Sequence, residues 1–117
     1  MNPNTTTELL KGTLTTIILR LLSEKGKMYG YELAQCVKET TGGKVLIKEG
    51  SLYPALHKLE ADGLIECEKV MLGKRVRKYY HLTPAGETAT AKAINELLDF
   101  LNTIHHLITT ELIYGNT

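Results

Sequence analysis

The sequence predicts a mostly α-helical fold with a small β-wing, which makes it an α+β domain. Apolar residues recur at helical spacing near both ends of the chain, and two strand-like runs flank a turn at Gly73 and Lys74. A further amphipathic helical segment precedes the first of these strands. With 117 residues and 43% hydrophobic content, the chain suits one modest domain whose core a second copy can complete.

The first part of the chain predicts two helices and a short strand. Apolar residues from 7 to 23 follow one helical face, and the Glu-Lys-Gly-Lys sequence beginning at residue 24 ends that helix. Residues 29–40 form a second amphipathic segment that stops at two glycines, 42 and 43. The apolar run at residues 45–47 predicts a short strand that pairs with the base of the hairpin.

The next helix has one apolar and one polar face. Leu52, Leu56 and Leu59 gather on the inner side. The outer side is small, polar and basic, and it carries Gly50, Ser51, Pro54, His57, Lys58 and Ala61. We expect Ser51 to be the N-cap, because proline is tolerated only in the first turn of a helix. Small residues would let the backbone approach a DNA groove. The alternative is that they only shape the helix start and that His57 and Lys58 are solvated.

Two predicted strands, at residues 65–72 and 75–82, form the hairpin. Four cations crowd its tip, namely Lys74, Arg75, Arg77 and Lys78. They repel one another unless water or a polyanion such as DNA screens them. Residues 44–81 hold eight Lys/Arg and five Asp/Glu, so the hairpin half of the chain is the basic half, although solvated lysines alone would also explain so mild a bias. We expect Tyr79 or Tyr80 to anchor the hairpin in the core.

The last helix begins with Thr83 as cap and Pro84 in the first turn. Its apolar residues repeat at spacings of three and four, at Ile94, Leu97, Leu101, Ile104 and Ile108, with Leu98 beside them. About thirty helical residues would extend roughly 45 Å, more than so small a domain covers. We therefore expect contact with a second subunit as well as packing against the first helix.

The sequence offers little for catalysis. It contains no P-loop, GxSxG or HExxH motif. Adjacent His105 and His106 diverge on a helix and cannot grip one metal ion, while Cys36 and Cys67 suit hydrophobic packing better than a redox or metal site. We expect no enzyme activity, cofactor or metal. We also expect no signal peptide or membrane span and a cytoplasmic location.

Three helices, a hairpin and a last helix in this order describe a winged helix-turn-helix followed by a long C-terminal dimerisation helix. The residues resemble the PadR family of transcriptional regulators. The similarity covers about residues 9–110 and rests on three segments in order: LLKGTLTTIILRLLSEKGKMYGYELAQCVKE, EGSLYPALHKLEADGLI and GKRVRKYYHLTPAG. The single last helix is similar to that of the shorter branch of the family.

The resemblance implies a homodimeric repressor that binds a palindromic operator in double-stranded DNA. It implies a winged-helix DNA-binding domain at residues 1–82 and a dimerisation helix, packed on the first helix, at residues 83–117. The implied DNA-binding residues are Tyr29, Gly30, Ser51, Tyr53, Pro54, His57, Lys58, Lys74, Arg75, Arg77 and Lys78. The expected dimer interface comprises Leu10, Leu14, Ile94, Leu97, Leu98, Leu101, Ile104 and Ile108.

The resemblance also implies a small hydrophobic or phenolic effector, held near the dimer interface. The sequence departs from some drug-sensing members, because it has no tryptophan and only Phe100 as an aromatic on the last helix. Val70, Met71 and Leu72 are more apolar than the charged residues usual near the wing tip. A winged helix used for protein contacts instead of DNA is the alternative, against which the basic wing argues.

Overall fold

The computed structural model describes residues 9–113, which contain four helices and a small three-stranded antiparallel sheet. The mostly α-helical fold with a wing is confirmed. The expected helix start at residue 7 and the outer ends of the two expected domains, residues 1–8 and 114–117, lie outside the described residues. In chain order the elements are α1 (Leu14–Lys25), β1 (Met28–Tyr29), α2 (Gly30–Thr40), α3 (Glu49–Ala61), β2 (Ile65–Leu72), β3 (Arg75–Leu82) and α4 (Pro84–Thr109).

The first helix is shorter than expected. A helical turn at residues 9 and 10 is separated from α1 by a turn at residues 11–13. Gly12 adopts a left-handed conformation there, with φ of 82°, which stops the earlier turn as glycine commonly does at helix ends. Thr13 stabilises the turn, because its hydroxyl donates a hydrogen bond of 2.8 Å to the Leu10 carbonyl. The expectation of one continuous helix was therefore wrong, because the left-handed conformation of Gly12 interrupts it.

The third strand is not where the sequence suggested. Residues 45–47 form no strand, and the amide of Val45 instead donates to the Thr41 hydroxyl at 3.1 Å. Met28 and Tyr29 form β1, which pairs with β3 so that Tyr29 faces Tyr79 and Met28 faces Tyr80. The sheet order is β1-β3-β2. The base of the wing is thus hydrogen-bonded directly to the residues that begin α2.

Helix α3 begins earlier than expected. Its N-cap is Lys48, which has extended backbone and no capping side chain, so the assignment of Ser51 as N-cap is wrong. Pro54 consequently lies beyond the first turn, at the sixth helical residue. The missing N–H leaves the carbonyl of Gly50 without its usual partner, but Gly50 is exposed, where water can serve as donor.

The core confirms the expected inner face of α3. Leu52, Leu56 and Leu59 are all buried. The largest side chains that are completely enclosed are Tyr80, Ile18, Leu33, Leu56 and Ile65, contributed by β3, α1, α2, α3 and β2. Of the two candidate tyrosines, Tyr80 is therefore the core anchor of the hairpin.

Thr83 connects the end of α3 to the start of the long helix, α4. Its side chain accepts a hydrogen bond from the Gly86 amide at 3.1 Å, as expected of a cap, and its hydroxyl donates to the Gly63 carbonyl at 2.7 Å. Gly86 packs so closely on Leu64 that an added Cβ would lie 1.9 Å from the Leu64 carbonyl oxygen. The start of α4 is thus fixed against the end of α3.

Beyond this junction, α4 leaves the body of the domain. It packs against α1, but of its residues only Gly86 and Thr90, near its start, are buried. The radius of gyration is 16.9 Å, compared with about 13 Å for a compact domain of this length. The described chain is consequently elongated, measuring 68 × 32 × 22 Å.

Candidate nucleic-acid interface

The wing exposes its cations at the tip. Lys74, Arg75 and Lys78 are exposed, and Lys69 on the neighbouring strand lies directly opposite Lys78. Like charges opposed across a ladder destabilise it unless an anion or solvent screens them. Lys69 was missed from the sequence, although the turn that places Leu72 opposite Arg75 fixes its position as well.

Arg77 is held by two tyrosines. Its guanidinium carbon lies 4.1 Å from the centroid of the Tyr29 ring, and its Nη1 donates a hydrogen bond of 3.5 Å to the Tyr79 hydroxyl. The Tyr79 hydroxyl raises the pKa of Arg77, which stays charged in any case. The Tyr29 and Tyr79 rings meet edge to face with centroids 5.4 Å apart. Arg77 is thus oriented by the start of α2, unlike the other cations of the wing.

A groove of about 610 Å³ separates the wing from α2 and α3. Gly30 lets these helices meet beneath it, since a Cβ at this residue would lie 2.8 Å from the Tyr53 hydroxyl. Predicted residues from four elements, β1, α2, α3 and β3, share this groove: Tyr29, Gly30, Tyr53, Arg75, Arg77 and Lys78. Tyr31, which was not predicted from the sequence, also lines this groove and is exposed. Aromatic and cationic side chains therefore converge between wing and helices.

The base of the wing carries the acidic residues. Lys27 forms an ion pair with Glu68, and its hydrogen bond lowers the pKa of the Glu68 carboxyl. His81 Nε2 lies 3.4 Å from a carboxylate oxygen of Glu66. Negative charge is thus confined to the half of the wing nearest the core, while the outer half is positive.

The outer face of α3 borders a second groove, of about 420 Å³, facing residues 10–15. Ser51, Pro54 and Lys58 line it, so they lie on the opposite flank of α3 from Tyr53. His57 and Lys58 are exposed, and Lys58 forms an ion pair with Asp62 at 3.3 Å. The predicted α3 residues are therefore divided between two flanks.

The expected dimer residues fall into two groups. Leu10 and Leu14 are already buried within the protomer, which leaves them little surface for a partner. Ile94, Leu97 and Ile104 are half-buried, the first two in a groove between α1 and α4. The exposed members lie on the far half of α4: Leu98, Leu101 and Ile108, with Phe100 and Leu107 beside them.

Residues 9–113 contain no cluster of three His, Cys, Asp or Glu side chains arranged to hold a metal ion. Within the same range, no helix is both long and apolar enough to span a membrane. Cys36 and Cys67 are free and pack against the core. His105 and His106 are exposed on α4.

Burial raises the pKa of Tyr80 to about 12. Because this pKa exceeds the ordinary tyrosine value of about 10, the neutral phenol stabilises the fold below pH 10. We expect that contribution to disappear as the pH rises from about 10 to about 12. Ultraviolet absorbance of tyrosinate should show a late ionisation step for Tyr80, and Tyr80→Phe should remove that step. A wild-type titration in which every tyrosine ionises near pH 10 would contradict this.

Comparison with known proteins identifies similar chains. Residues 18–92 match the transcriptional regulator PadR-like family. A transcriptional regulator of Mycobacterium tuberculosis is 44% identical over 54 residues, which are 44% of this chain and 50% of that protein.

Solved structures agree with this match. A transcriptional regulator from Clostridium thermocellum is similar with a TM-score of 0.79 and 31% identity, over 87% of this chain and 99% of that one. Bacillus subtilis PadR, solved in complex with operator DNA, is similar with a TM-score of 0.63 and 27% identity. That match covers 91% of this chain but 52% of the Bacillus protein, so this chain spans about half its length.

Proposed function

The chain belongs to the PadR-like family of transcriptional regulators, which are not enzymes, and we propose that it binds operator DNA as a homodimer. One observation carries the proposal: wing cations, the start of α2 and Tyr53 of α3 all line the same groove. Such a groove suits a phosphate backbone, because cations and tyrosine hydroxyls together hold phosphate oxygens in register.

The two parts of the interface have different roles in this proposal. The wing, with Lys69, Lys74, Arg75 and Lys78, supplies charge that favours any DNA sequence. Helix α3 offers His57 and Ser51, whose donors and acceptors suit base edges in the major groove. Affinity would thus come mainly from the wing and sequence preference from α3.

His57→Ala is therefore expected to change which sequences are preferred while leaving overall affinity for random DNA nearly unchanged. A lost base contact costs roughly 1–3 kcal/mol at one position of the site. Ser51→Ala should act at a different position of the site, because Ser51 lies six residues from His57. Selection from a randomised duplex library, followed by sequencing, measures both effects. Identical selected sites for wild type and both variants would exclude α3 from base recognition.

We assign DNA contact to residues up to 82 and dimerisation to α4. The exposed apolar residues on the far half of α4 support this division, since the domain itself leaves them uncovered. A twofold dimer would place its two α3 helices on half-sites about one helical turn, roughly 34 Å, apart. The palindromic operator follows from that symmetry.

Leu101→Glu is expected to convert the dimer to a monomer at micromolar concentration. Burying an unpaired carboxylate in an apolar interface costs several kcal/mol. The matched control is Leu46→Glu, because Leu46 is 45% exposed and Leu101 is 47% exposed. Sedimentation velocity should show dimers for wild type and for Leu46→Glu only. A monomeric wild type would contradict the homodimer.

Repression and its release are the remaining parts of the proposal. A dimer on its operator blocks access to the promoter, and a small hydrophobic or phenolic effector would end the block. The groove of about 240 Å³ between α1 and α4 is the candidate site for such a ligand, because Ile17, Leu21 and Ile94 give it an apolar lining. Calorimetry with phenolic acids, with and without DNA, tests whether binding of the two is coupled.

A salt titration tests the function as a whole. Binding to a duplex selected from a random library should weaken steeply as salt rises, because each phosphate contact releases a counterion. Binding that is insensitive to salt, or absent in dilute buffer, would exclude DNA as the partner. A role in protein contacts would then be favoured, since Tyr31 and the wing tip leave apolar surface exposed.

A further inference from the structure

Two apolar side chains stand exposed near the tip of the wing. Met71 and Val76, which we call the tip pair, lie directly opposite each other in the β2–β3 ladder. Met71 is 64% exposed and Val76 is 53% exposed. Neighbouring Leu72 is also exposed, opposite Arg75. An apolar cross-strand pair normally contributes by packing under a covering layer, and no described residue covers this one enough to bury it.

Cations surround the tip pair. Residues two apart on a strand share a face, so Lys69 and Lys78 lie on the face of the tip pair, one step nearer the core. Lys74 stands in the turn beyond it, and Arg75 is exposed next to it. The surface is thus apolar at its centre and positive around its edge. It suits a partner that is negative outside and apolar within.

The tip pair is continuous with the proposed DNA interface. Val76 lines the same groove as Tyr53 of α3, between Arg75 and Arg77. A duplex whose phosphate backbone lay along this groove would present its minor groove to the wing tip when α3 faced the adjacent major groove. DNA has the required chemistry, because its phosphates are anionic and its stacked bases are apolar.

We propose that the tip pair is an apolar wedge that enters the DNA minor groove and bends the duplex. The inference rests on the proposed function and adds a shape requirement to it. Apolar side chains pressed between base steps unstack them and kink DNA, and the flanking cations hold the phosphates on both sides of the groove. Sequences with easily unstacked pyrimidine–purine steps at the wing position would then be preferred without hydrogen bonds to bases.

Two matched double variants test the wedge. Met71→Gln with Val76→Thr nearly preserves side-chain shape and charge but removes apolar character, whereas Met71→Leu with Val76→Ile keeps it. Both should melt as wild type does, because the side chains are exposed. The probe is a duplex of roughly 30 base pairs, selected by the wild-type protein from a random library and labelled at its ends with a fluorescent donor and acceptor.

We expect wild type and the Leu/Ile variant to raise energy transfer between the duplex ends. The Gln/Thr variant should lose this rise and bind about tenfold more weakly, since one apolar pair no longer leaves water. Replacing guanine by inosine at the wing position, which opens the minor groove while leaving the major groove unchanged, should tighten wild-type binding but not binding by the Gln/Thr variant.

Three results would overturn the wedge. If the Gln/Thr variant bends and binds the duplex as wild type does, the wedge is wrong while DNA binding stands. If wild type retains no duplex from the library, the proposed function fails, and the inference with it. If the tip pair instead governs binding to phosphatidylglycerol vesicles and leaves duplex bending unchanged, the wing tip is a lipid contact.

Discussion

Replacing Arg75 and Arg77 together by alanine is expected to weaken DNA binding about a hundredfold at moderate salt, whatever the DNA sequence. Each charge-assisted contact to a phosphate contributes about 1.4 kcal/mol, which is a factor of ten. The slope of log affinity against log salt should also fall by about two, since two fewer counterions are released. Fluorescence anisotropy with selected and scrambled duplexes measures both quantities.

The control removes two positive charges elsewhere. Lys25 and Lys92 are exposed on α1 and α4, away from the wing, and their double alanine variant should change affinity only slightly. Arg77→Lys distinguishes the contribution of the charge to DNA affinity from that of the stacked orientation, because lysine keeps the charge but loses the planar stack on Tyr29. If the Arg75/Arg77 double variant bound DNA as wild type does, the wing would have no part in the interface.

The largest effect on stability is expected from Gly86→Ala. The added Cβ would lie 1.9 Å from the Leu64 carbonyl oxygen, a backbone atom that cannot rotate away. Helix α4 must then move off the end of α3, which strains the Thr83 hydrogen bonds at the junction. We expect a loss of about 3 kcal/mol in the free energy of unfolding, measured by urea denaturation.

Gly50→Ala is the matched comparison. Gly50 also lies in the first turn of a helix, but an added Cβ there meets nothing within 4 Å. Alanine favours helix more than glycine does, so this variant should be unchanged or more stable by up to about 1 kcal/mol. Equal destabilisation by both variants would mean that the contact with Leu64 does not decide the outcome at Gly86.

Periodic features of the fold could be predicted from the sequence. The hairpin has the expected bounds, Ile65–Leu72 and Arg75–Leu82, because alternation and a glycine turn are both local signals. Thr83 caps α4 as expected, since capping involves only four consecutive residues. The buried face of α3 followed from the spacing of its leucines alone.

Features that depend on distant partners could not be predicted. Strand β1 exists because Met28 and Tyr29 meet β3 some fifty residues later, and two residues carry no periodicity of their own. The stack of Arg77 on Tyr29 depends on that pairing. The expected start of α3 was wrong because α3 holds Pro54 beyond its first turn, where an exposed helix can forgo one backbone hydrogen bond.

The two hydrogen bonds of Thr83 couple the orientation of the long helix α4 to the end of α3. At 1.5 Å per residue, the 26 residues of α4 form a rod of about 39 Å. A tilt of about 5° at Thr83 would carry the far end of this rod through roughly 3 Å. In a dimer joined near those far ends, a small change in the crossing angle of the two α4 helices would change the distance between the two α3 helices, because Thr83 ties each α4 to its own α3.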